Sequence, residues 1–148
     1  MNISGSVLTG LFTVLLSACA SQVPLIIREA PADNPTLAQA VMDDASYTGR
    51  TVRWGGTIIE TDNREDVTRL IVLGKQLYRD GSPKFTDDSE GRFLAIVPDF
   101  LDPKVYATDR DVTFTGTVAP AEQGMVGEYP YTYPVIQAKA WYLWPDLS

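Results

Sequence analysis

The sequence predicts a mainly β fold, a small five-stranded barrel with two short helices, and three observations support this expectation. Five segments alternate apolar with polar residues or are rich in Val, Ile and Leu, as β-strands are. Turns rich in Gly, Asp and Pro separate these segments. A connector with a helix-start signal follows the third segment, and this order of elements is typical of a Greek-key barrel.

The first residues predict a secretory signal that ends at residue 18. The stretch from Val7 to Leu16 carries no charge and is mostly Val, Leu and Phe, and the small Ser17 and Ala18 follow. The order Leu16-Ser17-Ala18-Cys19 resembles the lipobox of bacterial lipoproteins, in which the cysteine sulfur receives a diacylglyceryl group and cleavage occurs just before it. We therefore expect Cys19, the only cysteine in the sequence, to be lipidated and to become the first mature residue.

Two alternatives for this segment stay open. A plain secretory signal would leave Cys19 as a free thiol. A transmembrane helix needs about 20 apolar residues, about twice the run that is present here. The stretch from Met1 to Ala18 also lacks Lys and Arg, so the basic beginning that export signals usually have is reduced to the terminal amine.

Residues 19–34 are predicted to form an acylated tether, and residues 35–148 the folded domain. Pro24 and Pro31 favour a semi-extended chain, although the apolar residues 25–27 would also suit a short edge strand or a segment that docks on the domain. A short helix is expected next, with Asn34 as its N-cap and Pro35 as its first residue. It should end near Gly49, which can adopt the positive φ of a terminating turn.

The strands of the domain are predicted over residues 50–59, 68–73, 92–97, 111–118 and 134–144. Gly55 and Gly56 permit strong bending of the first strand or close approach of a neighbouring backbone. Asp102 and Pro103 predict a helix of one or two turns between the third and fourth strands, which would dock Phe100, Leu101 and Tyr106. The order of elements is that of a five-stranded OB-like Greek-key barrel, with a small open sandwich as the alternative. The core is expected to contain Trp54, Ile58, Ile96, Val112 and Phe114.

The charge balance and the missing residue types restrict the chemistry. The chain has 12 Lys and Arg against 19 Asp and Glu, a net charge of −7, so it should repel nucleic acid and anionic head groups. It has no histidine, and its cysteine belongs to the lipobox, which removes the commonest base, metal ligand and thiol nucleophile. No catalytic residue, metal site or cofactor is therefore predicted. Two acidic clusters lack the spacing of a calcium loop and are interpreted as solvated turns: Asp62, Glu65 and Asp66, and Asp87, Asp88 and Glu90.

Three alternating tyrosines, Tyr129, Tyr131 and Tyr133, are the candidate ligand-binding residues. Pro130 and Pro134 favour an extended backbone with few donors, so the tyrosines would lie on one side of a ribbon. This ribbon is expected in the loop between the fourth and fifth strands, near the surface that OB domains use for oligomeric ligands. In the alternative interpretation, the tyrosines cap the end of the barrel and form local hydrogen bonds.

An ordered set of motifs resembles the Slp family of Gram-negative outer-membrane lipoproteins. The set follows the lipobox in this order: residues 52–56 (VRWGG), 91–93 (GRF), 100–103 (FLDP), Tyr106, 127–134 (GEYPYTYP) and 143–145 (LWP). The resemblance implies a lipid-anchored domain of the outer membrane, associated with starvation or stress, with no established enzymatic activity. Ala20 fits this address, because lipoproteins retained in the inner membrane generally carry aspartate after the acylated cysteine. Asp99 departs from the pattern, since glycine is expected there.

Three classes of function stay open at this stage. The first is a structural or interaction lipoprotein, whose partners would be the membrane, through the acyl chains, and an envelope protein or glycan. The second is a binding module for a glycan, a peptide or a small ligand, supported by the tyrosines. The third is an unconventional carboxylate enzyme, supported only by the scattered acidic residues.

Overall fold

The computed structural model describes Gly5, residues 9–11, Thr13 and residues 22–147, and five strands in this part of the chain form a closed barrel in the order β1-β2-β3-β5-β4. Neighbouring strands are antiparallel except β3 and β5, which are parallel. This arrangement confirms the predicted five-stranded OB-like barrel and excludes the open sandwich. The strands are β1 Thr51–Asn63, β2 Thr68–Lys75, β3 Arg92–Val97, β4 Asp111–Val126 and β5 Tyr129–Leu143.

Alternating residues of all five strands fill the interior, as the two-residue period requires. Phe93 lies at the centre and makes edge-to-face contacts with Trp54 and Phe114, with ring centroids 5.7 and 6.1 Å apart. Four of the five predicted core residues lie in this cluster, namely Trp54, Ile58, Val112 and Phe114.

The placement of Ile96 in the core was wrong. In β3 the inward residues are Phe93, Ala95 and Val97, whereas Ile96 packs in a separate cluster with Leu94. Both phases of this strand are apolar, so alternation alone could not identify its inner face.

Gly56 allows β1 to cross β2 closely. A Cβ atom at Gly56 would collide with the backbone carbonyl of Leu73. Leu73 precedes Gly74, the residue that lies opposite Gly56 in the β1–β2 register. The expected close approach at the glycine pair is therefore present at this position.

Within residues 22–50, three short helices precede the barrel: α1 Leu25–Arg28, α2 Leu37–Met42 and α3 Asp44–Tyr47. The N-cap of α2 is Thr36, which forms a capping box with Gln39, so the assignment of Asn34 as the cap was wrong. Asn34 instead uses its amide to bond both backbone groups of Arg53, at 2.8 and 3.0 Å. Gly49 ends the helical region with φ +88°, as predicted.

The connector between β3 and β4 forms a turn and no helix. The amides of Val105 and Tyr106 both donate to the carbonyl of Asp102, at 3.0 and 2.8 Å, which makes a single turn that the chain does not continue. Leu101 is buried and Tyr106 packs partly against the core, as expected, but Phe100 is 68% exposed. The predicted helix between the third and fourth strands is therefore wrong.

The N-terminal part of the described chain is packed on the barrel. Ile27 in α1 is fully buried, so the expectation of a free tether over residues 19–34 does not hold for this helix. The lipobox with Cys19 lies outside the described residues. Among these residues, no helix combines the length and the apolar character that crossing a bilayer requires.

Candidate interaction surfaces

The predicted tyrosine loop is a β-hairpin. The ends of β4 and β5 pair with each other beyond the barrel, from Glu122 opposite Tyr133 to Val126 opposite Tyr129. Residues 129–133 have a strand partner on one side only, and proline is tolerated on such an edge because no ladder hydrogen bond needs its missing N–H. The loop assignment was wrong because alternating tyrosines suit a strand as well as an extended loop.

Tyr133 and Tyr131 hold the hairpin in place. Tyr133 is 5% exposed, and its hydroxyl donates to the carbonyl of Met125 at 2.9 Å. The hydroxyl of Tyr131 accepts from the backbone N–H of Arg92 at 2.8 Å, which joins the hairpin to β3. The two rings meet edge to face at 4.8 Å. Tyr133 therefore makes a local hydrogen bond, as in the alternative interpretation, whereas the bond of Tyr131 joins the hairpin to a strand that is distant in the sequence.

Tyr129 differs from the other two tyrosines. It is 70% exposed, and Met125 nearby is 53% exposed. Val126 and Tyr129 form the last pair of the hairpin, and a two-residue turn connects them. The turn begins at Gly127, whose φ of +59° is typical of tight hairpin turns with glycine in first position. This hairpin tip, which we define as residues 125–129, thus presents an aromatic ring and a thioether to solvent on a rigid support.

The base of the hairpin packs on the outer face of the barrel. Leu94, Tyr133 and Val135 are buried there, and a ring of partly buried apolar residues surrounds them: Ile71, Ile96, Ala119, Val126 and Tyr131. Arg69 of β2 also pairs with Glu122 of β4 at 2.5 Å, although an ion pair this exposed contributes little stability.

A second surface lies where α1 covers the outer faces of β1 and β4. Thr115 donates its hydroxyl to the carbonyl of Ile26 at 3.0 Å. Arg53 donates from Nη1 to the carbonyl of Ile27 at 2.8 Å. Arg53 is 6% exposed, and its desolvation lowers the pKa of the guanidinium while the charge of Asp80 opposes that shift. A buried cation and a threonine hydroxyl therefore hold α1 by two of its carbonyl groups.

Asp80 belongs to the loop that flanks α1. Hydrogen bonds from the hydroxyl and the amide of Ser82, with a smaller contribution from the Arg53 charge, lower the pKa of Asp80. The next residue in this loop, Gly81, accepts from the hydroxyl of Thr113 at 2.6 Å through its carbonyl. The loop and α1 are thereby fixed to the same face of the barrel.

Two clefts open near this face. One of about 280 Å³ is lined by polar and charged residues, including Arg53, Lys75 and Glu90. The other, of about 560 Å³, is lined by apolar side chains such as Phe85, Trp144 and Leu147 and by acidic residues. No three acidic or cysteine side chains within the described ranges are grouped closely enough to hold a metal ion.

The predicted acidic clusters lie in and beside the turns. Asp87, Asp88 and Glu90 are exposed, as are Glu65 and Asp66, whereas Asp62 is partly buried and pairs with Arg64 at 2.7 Å. Exposed carboxylates of this kind add to the solubility of a protein.

The chain is similar to a family of lipoproteins, to individual relatives and to a solved structure. The profile of the outer membrane lipoprotein Slp family matches residues 16–148. The lipoprotein YeaY of Escherichia coli (strain K12) is 29% identical over 97% of this chain and 74% of its own length. The outer membrane protein Slp of the same organism is 27% identical over 97% of this chain and 77% of its own length. Among solved structures, a small single-stranded DNA-binding protein from Streptomyces coelicolor superposes with a TM-score of 0.43 at 14% identity, over 67% of this chain and 95% of that one.

Proposed function

The chain belongs to the outer membrane lipoprotein Slp family, and from this premise we propose that it is acylated at Cys19 and acts as a non-enzymatic, stress-related interaction protein of the envelope. Its outer-membrane address follows from the family. The role of Cys19 is supported by the lipobox order and by the apolar run before it. Several acyl chains give stable attachment, whereas a single chain binds a membrane only marginally.

Metabolic labelling tests the acylation. Radiolabelled palmitate should enter the wild-type protein and Ser21→Ala, a control that changes a neighbour of the site, but not Cys19→Ser. Label that persists in Cys19→Ser would show that the acyl chains are attached elsewhere. The same cells, fractionated on a sucrose gradient, should hold the wild type with outer-membrane markers and Ala20→Asp with inner-membrane markers.

The interaction role is supported by the hairpin tip. Tyr129 and Met125 are exposed at the end of a hairpin that Tyr131 and Tyr133 fix to the barrel. A rigid aromatic residue offers contact area at low entropic cost. We assign direct contact with an envelope protein or glycan to Tyr129, and support of that contact to Tyr131 and Tyr133.

Cross-linking in intact cells tests this assignment. A photoreactive residue at position 129 should give a discrete adduct, and the same residue at Phe100, which is exposed at a distant turn, should not. Equal adduct patterns at the two positions would contradict a binding role for the hairpin tip.

The non-enzymatic assignment is supported by the chemistry of the side chains. General acid–base work without histidine or a free thiol would depend on carboxylates whose pKa is raised towards neutrality by burial. Among the described carboxylates, Asp80 has a pKa that is shifted down instead. Turnover of an envelope substrate by the purified protein, lost on changing Asp87 or Glu90 to the amide, would refute the assignment.

A further inference from the structure

We propose that Leu25 and Ile26, on the outer side of α1, contact the lipid surface, so that α1 holds the barrel directly on the bilayer. This inference deepens the proposed function and rests on the acylation of Cys19. Its partner is the head-group and upper acyl region of a phospholipid bilayer. The domain would then not hang on a tether, and one fixed side of the barrel would face the membrane.

Chain length brings α1 close to the membrane. The chain advances at most about 3.6 Å per residue, so the six steps from Cys19 to Leu25 span no more than about 22 Å. An acylated Cys19 must lie at the head groups. Whatever path residues 20–24 take, Leu25 therefore cannot lie far from the lipid surface.

Contacts with the barrel make this closeness a property of the whole domain. Ile27 is fully buried, and the carbonyls of Ile26 and Ile27 accept from Thr115 and Arg53 at 3.0 and 2.8 Å. These donors lie on β4 and β1, two strands of the closed barrel. An anchor that positions α1 therefore also positions the barrel face beneath it.

The exposed side of α1 suits a lipid surface. Leu25 is 57% exposed and Ile26 is 50% exposed, and Ile27 is the buried residue of α1. The stretch from Ala20 to Ile27 carries no charge, in a chain whose net charge is −7. Uncharged apolar side chains are favoured at the interface of a bilayer.

The single cysteine of the sequence makes a depth measurement practical. Acylation converts the sulfur of Cys19 into a thioether, so a cysteine introduced elsewhere is the only free thiol. We would attach a nitroxide at Leu25→Cys, Ile26→Cys, Met42→Cys and Phe100→Cys in the full-length, processed lipoprotein. The last two are controls at exposed positions, with exposures of 85% and 68%. All four side chains are exposed, so the substitutions leave the buried contacts of Ile27 in place.

Each labelled protein is reconstituted into vesicles of phosphatidylethanolamine and phosphatidylglycerol and recovered by flotation. We expect collisions with a water-soluble nickel complex to fall several-fold on reconstitution at positions 25 and 26, and collisions with oxygen to rise. Positions 42 and 100 should keep their aqueous accessibility. Protein that floats while positions 25 and 26 remain as accessible as position 42 overturns the inference and leaves the anchor intact. If the wild type takes up radiolabelled palmitate at Cys19 but the protein does not float, the anchor and the inference are both overturned.

Discussion

Truncation of Phe114 should strongly destabilise the barrel. Phe114 is fully buried, lies opposite Trp54 in the β1–β4 register and contacts the ring of Phe93 with 6.1 Å between centroids. Changing a buried Phe to Ala costs about 3 to 5 kcal/mol, because apolar contacts are lost and a cavity remains. That cost is a large part of the free energy of unfolding of a small domain.

The size of the shift in melting temperature follows from the unfolding entropy. At about 2.1 cal/mol/K per residue, a domain of this length loses about 4 °C of melting temperature for each kcal/mol. Phe114→Ala should therefore melt about 12 to 20 °C below the wild type. The measurement is a far-UV circular dichroism melt of the lipidated protein in detergent micelles.

Phe100→Ala is the matched control, since it removes the same atoms from a ring that is 68% exposed. Exposed substitutions usually change stability by less than about 0.5 kcal/mol, so its melting temperature should stay within about 2 °C of the wild type. Equal shifts for the two variants would refute the placement of Phe114 in a packed core.

Three further predictions concern local contacts. Tyr133→Phe should cost about 0.5 to 1.5 kcal/mol in the free energy of unfolding, because the carbonyl of Met125 loses the hydroxyl that donates to it, whereas Tyr129→Phe should cost nothing measurable; denaturant titration compares the two. Thr36→Ala should cost about 1 kcal/mol by the loss of the α2 capping box, and the same titration measures it. The lowered pKa of Asp80 means that its ionised form stabilises the fold above its ordinary value of 3.8, and that this contribution is lost as the pH falls further. Asp80→Asn should therefore be less stable than the wild type at pH 7, with a difference that shrinks in melts below about pH 3.8.

The sequence predicted the elements whose signals are local. Strand β3 has the bounds that its apolar run indicates, and the phase of Trp54, Ile58, Val112 and Phe114 is right because each of them has a polar residue on at least one side. The phase of Ile96 was wrong because both of its neighbours are also apolar, which removes the signal. Periodicity identifies the inner face of a strand only where the outer face is polar.

The contacts of α1 and of the hairpin depend on residues far away in the sequence. The partners of Ile27 and Ile26 are 26 and 89 positions distant, so residues 25–27 offer no local pattern that distinguishes a docked helix from a tether. Tyr131 likewise meets Arg92 across 39 positions. A buried tyrosine and an exposed one are identical in sequence, and their roles differ only because the hairpin bends onto the outer face of the barrel.

The strand order also determines when the barrel can close during synthesis. β5 is the last of the five described strands, and it pairs with both β3 and β4. Until β5 has formed, β3 and β4 each present a row of unpaired backbone groups, which are templates for intermolecular pairing. Because the chain is synthesised from its N-terminus, it stays prone to aggregation until most of its residues have been made. Cells that make this protein should benefit from factors that keep it unpaired until its final strand is complete.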